Sequence, residues 1–129
     1  MEKPLKRVIY FEDESEMVEL VQIILGREGY QVEGVREGQA GLKAVKEKMP
    51  DIILLDLMMP DMDGWEIFRQ IKNEERTRHI PVIVITAKAQ TVDKVLGLEI
   101  AKVDDYISKP FRPQELLERV DKVLYKSKV

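Results

Sequence analysis

Apolar residues fall into two recurring arrangements along this chain: short unbroken runs, and longer segments in which they return every three or four positions. The runs Val8-Ile9-Tyr10-Phe11, Ile52-Ile53-Leu54-Leu55 and Val82-Ile83-Val84-Ile85 predict strands buried on both faces. The first extends back to Lys6, and shorter or more polar strands are expected from Gln31 to Val35 and from Val103 to Ser108. Helical spacing predicts a helix from about Ser15 to Glu28, with Met17, Leu20, Val21, Ile24 and Leu25 inward and Gly29 as its stop. Glu12-Asp13-Glu14-Ser15 offers acids and capping oxygens at its start. A second helix after Glu37-Gly38 turns Leu42, Val45 and Met49 inward, and a third, about Trp65 to Asn73, buries Ile67, Phe68 and Ile71. Pro113 opens a last helix holding Leu116, Leu117, Val120, Val123 and Leu124. The segment from Thr91 to about Ile100 predicts the weakest helix, because Gly97 interrupts it, and low local stability there suits a moving element. Strand and helix alternate five times without an internal repeat, which predicts a parallel sheet with helices on both faces.

The strand ends carry the chemistry. An apolar run that stops at Asp56 places a carboxylate where open parallel sheets hold their ligands, in the crevice beyond the strand C-termini. Taken alone, Asp56 reads as a turn residue, Glu12 and Asp13 as helix-capping acids, Thr86 as a cap and Lys109 as a solvated lysine. All of them follow strands, so in a parallel sheet acids, a hydroxyl and an amine converge on Asp56. A carboxylate in such company can attack a phosphoryl group and hold it as an acyl phosphate, provided the charge on the phosphoryl oxygens is neutralised. Mg²⁺ binds through one or two carboxylates and keeps positions for water and phosphate. Asp13 and Asp56 are the natural pair, with Glu12 acting through a water and the main-chain carbonyl near Met58 as a further oxygen. Lys109 is the compact cation that pairs with Asp56 and then with a phosphoryl oxygen, and Thr86 can donate a hydrogen bond to that oxygen.

Size and composition narrow the possibilities. At 129 residues the chain suits one domain, residues 1–129, with a core over about 5–125. A net charge of −3 without a basic tract argues against direct nucleic-acid binding. Cysteine is absent, which excludes disulfides and thiolate metal sites. No apolar run approaches the roughly 20 residues of a membrane span, and Met1-Glu2-Lys3-Pro4 lacks a signal-peptide core, so a soluble, cytoplasmic protein is expected. His79 lies in a polar connection and reads as a surface residue, while Met58, Met59 and Met62 read as loop packing. Asp61-Met62-Asp63-Gly64 superficially resembles the nucleophile motif of haloacid dehalogenases but follows Pro60 in a turn rather than a buried strand. A calcium loop starting at Met59 fails because Gln70 stands where Glu is required.

Glu12-Asp13-Glu14, Asp56 within Leu55-Asp56-Leu57-Met58-Met59-Pro60, Asp63-Gly64, Thr86-Ala87, Asp104-Asp105-Tyr106 and Lys109-Pro110-Phe111 together resemble the receiver domain of two-component response regulators, including the single-domain chemotaxis and sporulation type. The resemblance implies a flavodoxin-like, doubly wound (βα)5 fold with a five-stranded parallel sheet in the order 2-1-3-4-5. It implies that Asp56 accepts a phosphoryl group from a sensor histidine kinase or phosphotransfer histidine, with Glu12, Asp13, Asp56 and the Met58 carbonyl around Mg²⁺, Mn²⁺ being tolerated. By the same resemblance Thr86 and Lys109 bind phosphoryl oxygens, Tyr106 swings inward as Thr86 moves, and the Lys109-Pro110 bond is cis. The protein is then a phosphoacceptor that assists its own phosphorylation and dephosphorylation, not an enzyme acting on other substrates. The fourth helix, fifth strand and fifth helix would form the switching face for a downstream effector, with a monomer or a weak phosphorylation-dependent dimer. Lys88, two positions past Thr86, is expected to overhang the site and modulate the lifetime of the phosphorylated form. An interaction module without a phosphoryl cycle is the competing expectation. The pattern departs from the family where Glu12 replaces the commoner aspartate, where Lys102 stands at a usual glycine, and where Thr86 to Lys109 runs about one residue longer. Because Lys126-Ser127-Lys128-Val129 follows the last helix directly, the expectation is a stand-alone regulator or a segment of a longer chain.

Overall fold

The computed structural model describes residues 6–127. Its elements are β1 (Lys6–Phe11), α1 (Ser15–Gly26), β2 (Tyr30–Val35), α2 (Gly38–Lys48), β3 (Ile52–Leu55), α3 (Gly64–Asn73), β4 (Val82–Thr86), α4 (Thr91–Val95), a π-helical segment (Leu96–Ala101), β5 (Asp105–Ser108) and α5 (Pro113–Ser127). All strand pairs are parallel, and the sheet order is β2-β1-β3-β4-β5.

Strand side chains alternate between two apolar layers, as the two-residue repeat of a strand requires. Ile9, Phe11, Ile53, Leu55, Val82 and Val84 face the layer containing Leu42, Val45, Ile67, Phe68 and Ile71 of α2 and α3. Val8, Tyr10, Ile52, Leu54, Ile83 and Ile85 face the layer containing Val21, Ile24 and Leu25 of α1 and Leu116, Val120 and Val123 of α5. Each fully buried Leu, Ile or Val contributes about 1.5–3 kcal/mol of burial free energy, so the central strands anchor the fold. Among the described residues no helix is long and apolar enough to cross a membrane.

Several expectations need correction. α1 ends at Gly26 rather than Glu28, and the chain then turns through Gly29, whose φ of +86° suits glycine. Leu20 lies toward solvent at 41% exposure, because the buried stripe of α1 runs through Val21, Ile24 and Leu25. No acid caps the start of α1. Glu12 instead accepts a hydrogen bond from the Glu14 N–H (3.2 Å) while facing inward. β5 begins at Asp105 rather than Val103, since Asp104 uses its own N–H and its carboxylate to clasp Val82 of β4. The fourth helix is α-helical only to Val95. Beyond it the Gly97 carbonyl accepts from the N–H of Lys102, five residues on, and from Val103 at 2.9 Å, with Lys102 left-handed at φ +61°. A widened turn of this kind absorbs an extra residue without displacing the strand that follows.

Candidate functional site

Parallel register brings the ends of four strands to one edge. Phe11 pairs with Leu55, Leu55 with Val84, and Thr86 with Ser108, so Glu12, Asp56, Thr86 and Lys109 emerge side by side. Main-chain bonds extend the sheet by one residue into the crevice, from Asp56 N–H to Phe11 O (3.1 Å) and from Lys109 N–H to Thr86 O (2.9 Å). The Lys109-Pro110 peptide bond is cis.

Asp56 is buried, at 5% exposure. Its Oδ1 accepts the Met58 N–H (3.0 Å) and its Oδ2 accepts the Lys109 ammonium (2.9 Å). Lys109 also donates to Glu12 Oε1, so one cation bridges two buried carboxylates. Burial opposes the charge on Lys109, but its bonds to Glu12 and Asp56 outweigh that and hold its pKa above the ordinary lysine value. Glu12 is fully buried. Burial lifts its pKa above the usual carboxylate range against the opposing pull of Lys109 and the Glu14 N–H. Tyr10 O–H donates to the same Glu12 Oε1 (2.9 Å), and burial followed by the Glu12 charge drives the phenol pKa upward. In the sequence Tyr10 reads only as one more member of an apolar run.

Asp13 is half-buried beside this network, and its carbonyl accepts from Arg36 (3.3 Å). Among the described residues no group of three or more His, Cys, Asp or Glu side chains is arranged to hold a metal ion alone. The carboxylates of Asp13 and Asp56, with main-chain oxygens of the turn at Met58, are hard donors of the kind Mg²⁺ takes when it keeps most of its water. That donor chemistry fits the ion, whereas Glu12 is turned toward Tyr10 and Lys109.

On the other side of Asp56, Thr86 is fully buried, and its Oγ1 accepts the Lys88 N–H (3.3 Å). Tyr106 is already inside at 4% exposure, and its hydroxyl donates to the Lys88 carbonyl. Burial, followed by the charges of Asp93 and Asp56, pushes the Tyr106 pKa up to about 12. The main chain of Lys88 thus joins the hydroxyl and the aromatic, while the residue itself is exposed. Gly97 permits the ring's position, because a Cβ there would stand 2.7 Å from Tyr106 Cδ2.

The loop after Asp56 serves the scaffold as well as the crevice. Gly64 N–H donates to Leu57 O (3.0 Å), and Asp63 caps α3 by accepting the Trp65 N–H (2.7 Å). Asp61 reaches across to accept the Gly38 N–H (2.6 Å) and the Gln39 N–H (3.1 Å) at the start of α2. Proximity in sequence gave no signal of that second contact. His79 is exposed, and of the loop methionines Met58 faces solvent while Met59 and Met62 pack against the core.

Residues 8–121 match the family described as the response regulator receiver domain. The chain is 40% identical over 120 residues to the DNA-binding response regulator MtrA of Mycobacterium tuberculosis, covering 93% of this chain and 51% of that protein. It is 39% identical over 124 residues to the alkaline phosphatase synthesis transcriptional regulatory protein PhoP of Bacillus subtilis, covering 96% and 50%. The chain therefore spans about half the length of these curated relatives. Among solved structures it is similar to a CheY-like receiver domain protein from Methanospirillum hungatei (TM-score 0.86, 29% identity, 96% and 97% coverage). It is also similar to the receiver domain of a signal transduction histidine kinase from Syntrophus aciditrophicus (TM-score 0.84, 34% identity, 94% and 91% coverage). With matching sequence over most of its length and the same sheet order, the chain belongs to the response regulator receiver-domain family of two-component systems.

Proposed function

We propose that Asp56 accepts a phosphoryl group from a sensor histidine kinase or phosphotransfer histidine, and that the acyl phosphate sets the affinity of this domain for a downstream effector. The observation that carries the proposal is the buried Asp56 carboxylate at the mouth of the sheet with the Lys109 ammonium 2.9 Å away. An oxygen of Asp56 attacks phosphorus, the P–N bond to the donor imidazole breaks, and the electron pair stays on that nitrogen. Lys109, already at Asp56, moves its contact to a phosphoryl oxygen, and Thr86 turns its hydroxyl to donate to another. Hydrolysis reverses the modification: water attacks phosphorus, the P–O bond to Asp56 breaks, and carboxylate and inorganic phosphate result. The protein is on this reading a phosphoacceptor that assists its own cycle rather than an enzyme for other substrates.

Receiver domains of response regulators generally use Mg²⁺. Here Asp13, Asp56 and the Met58 carbonyl would hold it, with Glu12 acting through water. When bound, the ion supplies positive charge against the phosphoryl oxygens. The acyl phosphate carries about one and a half to two negative charges where the Asp56 carboxylate carried one, and Thr86 is the buried hydroxyl next to that charge. A shift of Thr86 pulls on the Lys88 N–H and so on the carbonyl that Tyr106 holds, which links the site to α4, β5 and α5. Lys88 is exposed at this junction, and its ammonium is assigned to modulating water access. A single receiver domain accounts for the described residues, and a cytoplasmic setting suits a kinase-fed switch. DNA binding, named for the mycobacterial relative, is not assigned to these residues.

The test is intact mass after incubation with Mg²⁺ and a small acyl-phosphate donor. Wild type should gain one phosphoryl group and Asp56→Asn none. Equal labelling of both, or of neither, overturns the proposal and leaves a partner-binding module without a phosphoryl cycle.

A further inference from the structure

Tyr10 is fully buried in the layer beneath α1 and α5, yet its hydroxyl emerges at the site, 2.9 Å from Glu12 Oε1. Three donors converge on that one carboxylate: the phenol and the Lys109 ammonium on Oε1, and the Glu14 N–H on Oε2. Asp56 takes the other contact of the same ammonium at Oδ2. The result is a continuous chain, Tyr10 to Glu12 to Lys109 to Asp56, running from the apolar core to the reactive oxygen. Glu12 in this arrangement is occupied by donors at both oxygens, and among the described residues no three-carboxylate cluster is arranged to hold a metal ion.

A buried phenol needs an acceptor, and any nearby carboxylate would satisfy it. The consequence for the site is specific, however, because the acceptor is one of the acids expected near the cation. A bond made only when Glu12 faces inward stabilises the inward state, and a cation that draws Glu12 outward must break it. We propose that Tyr10 is a positioning residue that holds Glu12 on Lys109 and away from the divalent cation, leaving Asp13 and Asp56 as the carboxylates that bind Mg²⁺. This rests on the phosphoacceptor reading only for its relevance, since the cation affinity can be measured without any phosphoryl donor. The arrangement also keeps Lys109 beside Asp56 before a donor arrives, as the ammonium is tethered at both carboxylates.

The experiment titrates Mg²⁺ against the unphosphorylated protein by Trp65 emission. Water-proton relaxation by Mn²⁺ serves as a readout independent of the tryptophan. Tyr10→Phe keeps the buried ring and removes only the donor, and it should tighten the cation by about threefold to tenfold, the size expected for loss of one competing hydrogen bond to a charged group. In a Glu12→Gln background the same change should have no effect on the affinity. An unchanged or weakened affinity in Tyr10→Phe, or a shift that persists without the Glu12 carboxylate, overturns the proposal. Should Tyr10→Phe fail to unfold cooperatively, Glu12→Gln against Asp13→Asn decides. The proposal requires Asp13→Asn to weaken Mg²⁺ more, and an equal or greater loss in Glu12→Gln contradicts it. Failure of Asp56 to take up phosphoryl groups would defeat the phosphoacceptor reading while leaving these affinities as they are.

Discussion

At the scale of single residues, the chemistry at the sheet edge follows from what burial does to charge. Asp56 and Glu12 lie out of water, and each would be costly there without the ammonium they share. Each alone reads as a turn or capping residue, and they were legible in the sequence because Glu12, Asp56, Thr86 and Lys109 all follow strands that a parallel sheet brings together. Tyr10 and Asp61 were not legible, for opposite reasons: the first is hidden among apolar neighbours, and the second has its partner 23 residues away at Gly38. Asp61 carries a prediction of its own. Its hydrogen bond from the Gly38 N–H, joined by that of Gln39, holds its pKa below the ordinary carboxylate value. A pKa depressed by folding contributes stability that is present above the unfolded value, near 4, and is lost as pH falls through the folded value. Urea unfolding should therefore show Asp61→Ala destabilised by about 1 kcal/mol at neutral pH, the loss expected of a helix cap, with the gap to wild type closing in acid. A gap that stays constant down to the acid limb would remove Asp61 from this role.

Elements follow their hydrophobic pattern where packing decides and depart from it where local hydrogen bonding decides. β3 is legible because four consecutive aliphatic residues can only be buried together, and all four are. α5 is legible for the complementary reason, its apolar positions recurring on one face behind Pro113. The segment after Val95 is not, because periodicity does not distinguish a bond spanning four residues from one spanning five. Gly97 marks the place, but the sequence suggests a weak helix and the structure instead widens it over Leu96–Ala101, closing at a left-handed Lys102. Left-handed backbone costs an L residue with a side chain roughly 1–2 kcal/mol, part of which glycine regains and part of which it loses to unfolded-chain entropy. Lys102→Gly should accordingly raise stability by about 0.5–1 kcal/mol in thermal or urea unfolding. A loss of stability would mean that the Lys102 side chain contributes more than its backbone costs.

For the whole molecule, two apolar layers around a parallel sheet bring the residues of the candidate site to one edge, tied to each other in two different ways. Glu12, Asp56 and Lys109 are tied by direct side-chain contacts, whereas Thr86 and Tyr106 are joined through the main chain of Lys88. On the function proposed above, the first group positions the phosphoacceptor and the second carries its state toward α4 and β5. The alternation of strands and helices exposed this architecture in the sequence, while the resemblance of the motifs supplied the strand order. The most direct test traps the acyl phosphate chemically. After incubation with Mg²⁺ and an acyl-phosphate donor, borohydride reduction followed by peptide mapping should convert residue 56, and only that residue, to its alcohol. Reduction at another carboxylate, or none under conditions where the donor is intact and the protein folded, would contradict the assignment of Asp56 as phosphoacceptor.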